Sequence, residues 1–203
     1  MSSEVDVCNL ALSHLGDEAS LASIDPPEGS AQADHCAKFY PIARDLMLEK
    51  HPWKFATRRV LLSPVDVDLW EWGYAYAEPN NCARLLSILP EDAPTEADTQ
   101  EYEAMSAESG ASVILTDQEE ASLVYIHKVT DTSKFPALFV YALSRLLASY
   151  LAGPVLKGEA GAAQAKEQLR LFMLALGEAT TSDANQRRVR LPDHVPSSIT
   201  ARL

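Results

Sequence analysis

The residues best equipped for chemistry are three cysteines (Cys8, Cys36, Cys82) and five histidines (His14, His35, His51, His127, His194). A thiol beside an imidazole makes a nucleophile, and clusters of the two make metal sites. Their spacing here supports neither. His35 and Cys36 are neighbours, so on a helix they point about 100° apart and do not converge on one metal. H-E-x-x-H, G-x-S-x-G and glycine-rich phosphate loops are all missing from the sequence. The chain is therefore expected to have no catalytic, cofactor or metal residues. A cysteine–histidine pair that meets only in space stays open, as does a bland reading of every histidine as a helix-end, surface or strand residue.

Aromatics carry a second signal. In "LWEWGYAYAEP", Trp70, Trp72, Tyr74 and Tyr76 recur at period two, so a strand would show them on one face. Such a face serves either cross-strand packing or a protein–protein anchor. A third signal is "HPWKFATRRVLL", residues 51–62. His51 precedes a proline and leaves the helical region. Trp53 and Phe55 are large apolar anchors, and the run from Thr57 is β-prone, with Arg58 and Arg59 at its start. The stretch reads as a joint between a helical part and a β part.

The elements around these residues follow from periodicity. Ser3-Glu4-Val5-Asp6 reads as a capping box opening a helix with Val5, Cys8, Leu12 and Leu15 on one face, stopped at Gly16. A second helix spans about Ser30 to Lys50, with Pro41 inside it predicting a kink or break. Short β signals follow in "GYAYAEP", "NNCARLLSIL", "SVILT" and "SLVYIHKV", predicting one small antiparallel sheet. A third helix is capped by Thr132 or Ser133, has Pro136 in its first turn and ends at Gly153-Pro154. A fourth covers about Glu159 to Ala179. The expected class is α+β: mainly a helical bundle of about four helices (1–56 and 131–182), a β-rich insert (57–130), and an extended, flexible C-terminal arm (183–203).

Charge narrows the function. The 203-residue chain carries a net charge of −12, which opposes any broad grip on nucleic-acid phosphates. Residues 91–108 hold seven acidic side chains and no basic one; this run is expected to be a long excursion from the sheet. Residues 183–203 hold four arginines against two aspartates. No run of 18 apolar residues predicts a membrane span. The start, "MSSEVDVCNLAL", does not look like a signal peptide, and three widely spaced cysteines fit a reducing compartment.

The order of landmarks resembles the head-to-tail adaptor (connector) proteins of tailed bacteriophages, of the kind called tail tubular protein A in short-tailed phages. The likeness covers roughly residues 4–180. It runs through "CNLALSHLG", "SLASI", "HCAKFYPIARDLMLEKHPWKFATRRVLL", "WGYAYAEPNNCARLLSI" and "SVILTDQEEASLVYIHKVTDTSKFPALFVYALSRLLASYLA". Its most specific parts are the P-W-x-F joint, the Y-x-Y-x-x-P-x-x-C-x-R stretch, and the Y-I-x-x-V-T-D strand running into a helix at F-P.

The resemblance implies a structural virion protein of the neck or tail region, made in the bacterial host cytoplasm. It implies a homo-oligomeric ring, usually of twelve copies, between the portal protein and a downstream tail (nozzle) protein, with the genome passing through without specific binding. It implies a portal-binding arm, for which the sequence offers Arg187, Arg188, Arg190, Leu191, Val195 and Ile199. Trp70, Trp72, Tyr74, Tyr76, Arg58 and Arg59 are the candidates for a tail or subunit interface. The two arginines read equally as ordinary strand charges. The rival readings are a small intracellular helical regulatory or binding protein and a cysteine-dependent hydrolase.

Overall fold

A computed structural model describes residues 3–18, 20–67, 71–92 and 98–186. Helix α1 (Glu4–Ser13) is opened by the capping box: Ser3 Oγ accepts from the Asp6 amide, and the Asp6 carboxylate accepts from the Ser3 amide. Ser30 caps α2 (Ala31–Lys50), which runs unbroken through Pro41. Strands β1 (Thr57–Leu61), β2 (Tyr74–Ala77), β3 (Cys82–Pro90), β4 (Tyr102–Ser106), β5 (Ser112–Thr116) and β6 (Ala121–His127) follow. After a single 3-10 turn at Thr132–Lys134 come α3 (Ala137–Leu156) and α4 (Gly158–Ala184).

The expectation of a mainly helical bundle with a small β insert is corrected here. The described residues are 46% helical and 22% strand, with four α-helices and two three-stranded antiparallel sheets, a mixed α+β fold. The sheets have strand orders β1-β6-β3 and β2-β5-β4. Isolated bridges join their edges, Pro64 to Tyr76 on one side and Ile88 to Gln100 on the other. The two sheets thereby close on each other like a small barrel. Ile88, Leu123 and Tyr125 from one sheet meet Tyr76 and Ile114 from the other in a separate core. The acidic run 91–108 is no plain excursion either. Tyr102 and Ala104 face that core side while Glu103 and Met105 face out, so β4 pairs with β5 in spite of its charge.

The first sheet has two working faces. Leu123 and Tyr125 point into the β core, while Ile126 joins the helical core. That larger core contains Trp53, Tyr40, Met47, Phe139, Leu143 and Phe172. By length and composition α3 is apolar enough to cross a membrane, but here it is the central helix, packed on α1, α2 and α4. It continues past Gly153-Pro154, where its packing against α4 outweighs the donor that Pro154 lacks. At Gly161 an added Cβ would lie 2.8 Å from the Ala152 carbonyl oxygen, so α3 and α4 cross at backbone contact. Helix α4 also runs past Ala179 to Ala184, which takes Asp183 out of the expected arm.

Candidate functional site: the joint and the aromatic edge

The joint is built from the end of α2. A helix leaves its last four carbonyls without helical partners, and His51 is already extended, as a residue before proline should be. The Trp53 indole Nε1 reaches back and donates to the Met47 carbonyl at 2.6 Å. Arg84 of β3 donates to the Glu49 carbonyl at 3.2 Å. One orphan carbonyl is thus capped from the joint and another from the β part. The Trp53 ring is 1% exposed and packs edge-on against Phe139 at 5.0 Å, with Phe55 and Phe135 completing the cluster. Both the amide and the hydroxyl of Thr57 donate to the Trp53 carbonyl, so β1 starts directly from the anchor.

Asp183, near the end of α4, closes the joint from the other side. It is 3% exposed. Its carboxylate accepts from the Lys54 amide at 3.1 and 3.2 Å and lies 3.2 Å from His51 Nε2. The His51 ring in turn sits edge-on to Trp53 at 4.8 Å. Sequence reasoning missed Asp183. Its one visible signal is an acid in the last turn of a helix, where the macrodipole disfavours it, so a partner elsewhere in the fold has to hold it.

The aromatic run is divided by the fold. Tyr76 is buried in the β core and donates its hydroxyl to the Gln118 carbonyl at 2.9 Å. Tyr74 shares that face, stacked on Tyr76 at 6.5 Å, but is 36% exposed. Trp72 lies half-buried before β2 and donates its indole N–H to Glu103 at 3.2 Å. Trp70 lies outside the described residues. Nearby, depressions of about 480 and 270 Å³ flank Met105, and their walls carry Asp66, Glu71, Glu103 and Glu108.

The two arginines also part company. Arg59 Nη2 donates to the Pro90 and Glu91 carbonyls at 2.9 and 2.8 Å, spanning β6 to hold the end of β3. Arg58 is exposed on the same strand. The arm candidates Arg187, Arg188, Arg190, Leu191, Val195 and Ile199, and also His194, lie outside the described residues.

The thiols and imidazoles do not form a reactive pair among the described residues. Cys8 and Cys36 are buried and free where α1 meets α2. The hydrogen bond with Cys36, and then burial, hold the Cys8 thiol protonated. Burial and the nearby Glu78 push Cys82 up to about 12. These are the opposite of the electropositive settings that activate a thiol. His14 pairs with a serine instead: its Nε2 is 3.1 Å from Ser144 Oγ. That hydroxyl is fully buried and bonds the Tyr141 carbonyl. Gln168 donates to the His14 carbonyl at 3.0 Å and accepts from Arg145 at 2.9 Å, so the cluster ties α1, α3 and α4 together. Burial, and then Arg145, push His14 down to about 4. No group of three His, Cys, Asp or Glu among the described residues is placed to hold a metal ion.

In comparisons with known proteins, the chain matches no protein-family model and no curated sequence.

Proposed function

We propose that this protein is a structural head-to-tail adaptor, a ring-forming part of a phage neck that couples the portal protein to a downstream tail protein. The observation that carries the reading is the layout of charge about the joint. The body is acidic, and the segment 187–203, with four arginines against one aspartate, leaves it at Gln186. That is one turn beyond the carboxylate that locks α4 to the joint. A basic arm following the junction of the helical and β parts suits a part that must join two other components. The sequence likeness supplies their identity. Twelve copies, no cofactor and no catalytic activity belong to the same reading.

An acidic body also suits a conduit, because a ring multiplies the repulsion of passing phosphates. We expect no measurable affinity for duplex DNA at about 0.15 M salt. Tight binding at that salt would count against the conduit.

The deciding experiment is native mass spectrometry of the chain alone and mixed with the portal protein encoded beside it. A ring with one adaptor per portal subunit, formed only in the mixture, is the expected result. Deleting residues 187–203 should abolish the complex and leave the fold intact. The cut belongs after Gln186, because an earlier one at 183 would remove a buried carboxylate along with the arm. A complex that survives the deletion would overturn the role of the arm. No complex at any salt would overturn the adaptor reading itself.

A further inference from the structure

We infer that the outer edge of β4 is a docking strand, to which a partner protein adds an extended segment that alternates basic and aliphatic side chains. The ladder register shows which backbone groups are on offer. The Ala107 amide donates to the Ala111 carbonyl at 2.9 Å, which fixes the parity of the β4–β5 pairing. Glu103 and Met105 therefore bond to β5, while Tyr102, Ala104 and Ser106 turn their N–H and C=O groups away from it. β5 is paired on both edges, and β2 is closed off on its far edge by Ser63 and Val65. Beside β3, the Gln100 amide donates to the Ile88 carbonyl at 2.8 Å and closes the seam between the sheets. Past that bond β4 runs on with no second neighbour among the described residues, exposed from Glu103 to Ser106. It lacks the proline, lysine or bulge that commonly blunts an open edge.

Charge selects the occupant. An added strand alternates between two surroundings, as β4 itself does. On the core side it meets Tyr102 and Ala104. On the other side it meets Met105, 37% exposed, and the two depressions beside that side chain. Asp66, Glu71 and Glu108 stand in the walls of those depressions, and all three are exposed. Among the described residues their carboxylates have no ion pair or hydrogen bond, and no Lys or Arg shares the walls. A strand with aliphatic side chains toward Ala104 and Lys or Arg toward these carboxylates satisfies both sides, while its backbone supplies the affinity. The β4 edge of a second copy does not, because it brings two sets of the same carboxylates together.

The inference goes beyond the adaptor reading and is tested on the full-length chain without any phage component. The probe is a short synthetic peptide that alternates lysine and valine. Its control is the same peptide with every amide N-methylated, which keeps the charge and removes the donors. Fluorescence anisotropy at about 0.15 M salt should show the probe binding at least about 10-fold more tightly than the control. With the probe bound, hydrogen exchange should slow about 10-fold at Tyr102, Ala104 and Ser106, and much less at Glu103 and Met105, which are already bonded to β5. Ala104→Pro removes an outward donor and leaves the β5 ladder intact, so it should weaken the probe about 10-fold, with circular dichroism checking the fold. Equal binding of probe and control, or unchanged exchange at the three outward amides, would overturn the inference, and neither readout needs a variant to fold. Outward amides that slow with rising protein concentration and no probe would overturn it as well, by placing a second copy on the edge.

Discussion

The two aromatic runs of this protein, "HPWKF" and "WEWGYAY", look alike in sequence and are used differently in the fold. In the first, every ring is drawn inward: Trp53 caps a helix end, packs edge-on with His51 and Phe139, and starts a strand. In the second, among the described residues, only Tyr76 has its ring taken into a core, while Trp72 and Tyr74 stay half-buried or exposed beside acidic neighbours. The difference lies in what the flanking backbone needs. A helix that ends on His-Pro exposes carbonyls, and an indole N–H within reach both satisfies one and fills the space beneath. In the second run β2 begins only at Tyr74, so Tyr76 inside the strand reaches the core of the closed sheets, while Tyr74 on the same face stays at the rim.

The contrast can be broken most directly at Trp53. Trp53→Ala should lose about 3–5 kcal/mol of stability, the range for a large buried aromatic, measured by urea unfolding. Trp53→Phe keeps most of the volume and removes only the N–H. It should lose about 1–2 kcal/mol, as the Met47 carbonyl is left buried without its donor. If the two variants behaved alike, the cap would have no energetic weight. Asp183→Ala comes next, at about 1–3 kcal/mol, because the Lys54 amide loses its acceptor. Its effect should appear first as faster hydrogen exchange at Lys54 and at the end of α4, with the β core unchanged.

The helices were readable because an apolar stripe at period 3.6 survives in any context. The capping box at Ser3 and the extended His51 were readable because they rest on local chemistry alone, whereas the cap expected of α3 at Thr132 or Ser133 is replaced by Pro136, which caps with no side-chain bond. The break allowed at Pro41 does not occur, and the stop expected at Gly153-Pro154 is overrun, since packing along α2 and α3 outweighs one missing donor. β4 was hidden by its composition. "YEAMS" alternates as a strand should, but Glu103 and the surrounding acids make it look like solvated loop. The single expected sheet became two because the strand pairings join residues far apart in sequence, such as Thr57 with Ile126 and Tyr74 with Thr116. Asp183 and the His14–Ser144 contact were hidden for the same reason: their partners lie about 130 residues away.

The helical half carries a pH dependence at His14. His14 has a folded pKa of about 4, below the ordinary imidazole value of 6.5. The unfolded chain therefore binds the proton more readily. Stability present above pH 6.5 is lost progressively as pH falls toward 4, and levels off below that. The His14→Gln variant should be less stable at pH 7 and should show a flatter stability profile between pH 6.5 and 4. An unchanged slope in that window would assign the acid sensitivity elsewhere.

The smallest effect on stability should come from the aromatic edge, and it sharpens the comparison most. Trp72→Ala loses a half-exposed ring and one hydrogen bond to Glu103, so about 0.5–1 kcal/mol is expected. Tyr74→Ser should be nearly neutral, within about 0.5 kcal/mol. If these side chains are kept for a partner, the same substitutions should weaken association with the downstream tail protein by about 10-fold or more, since exposed aromatics dominate interface energetics. Surface plasmon resonance against that protein, run beside urea unfolding of the same variants, separates the two roles. Loss of binding with stability retained makes "WEWGYAY" an interface and "HPWKF" its scaffold. Loss of stability on the scale of Trp53→Ala would make both runs structural and leave the acidic depressions beside Met105 as the surface to examine.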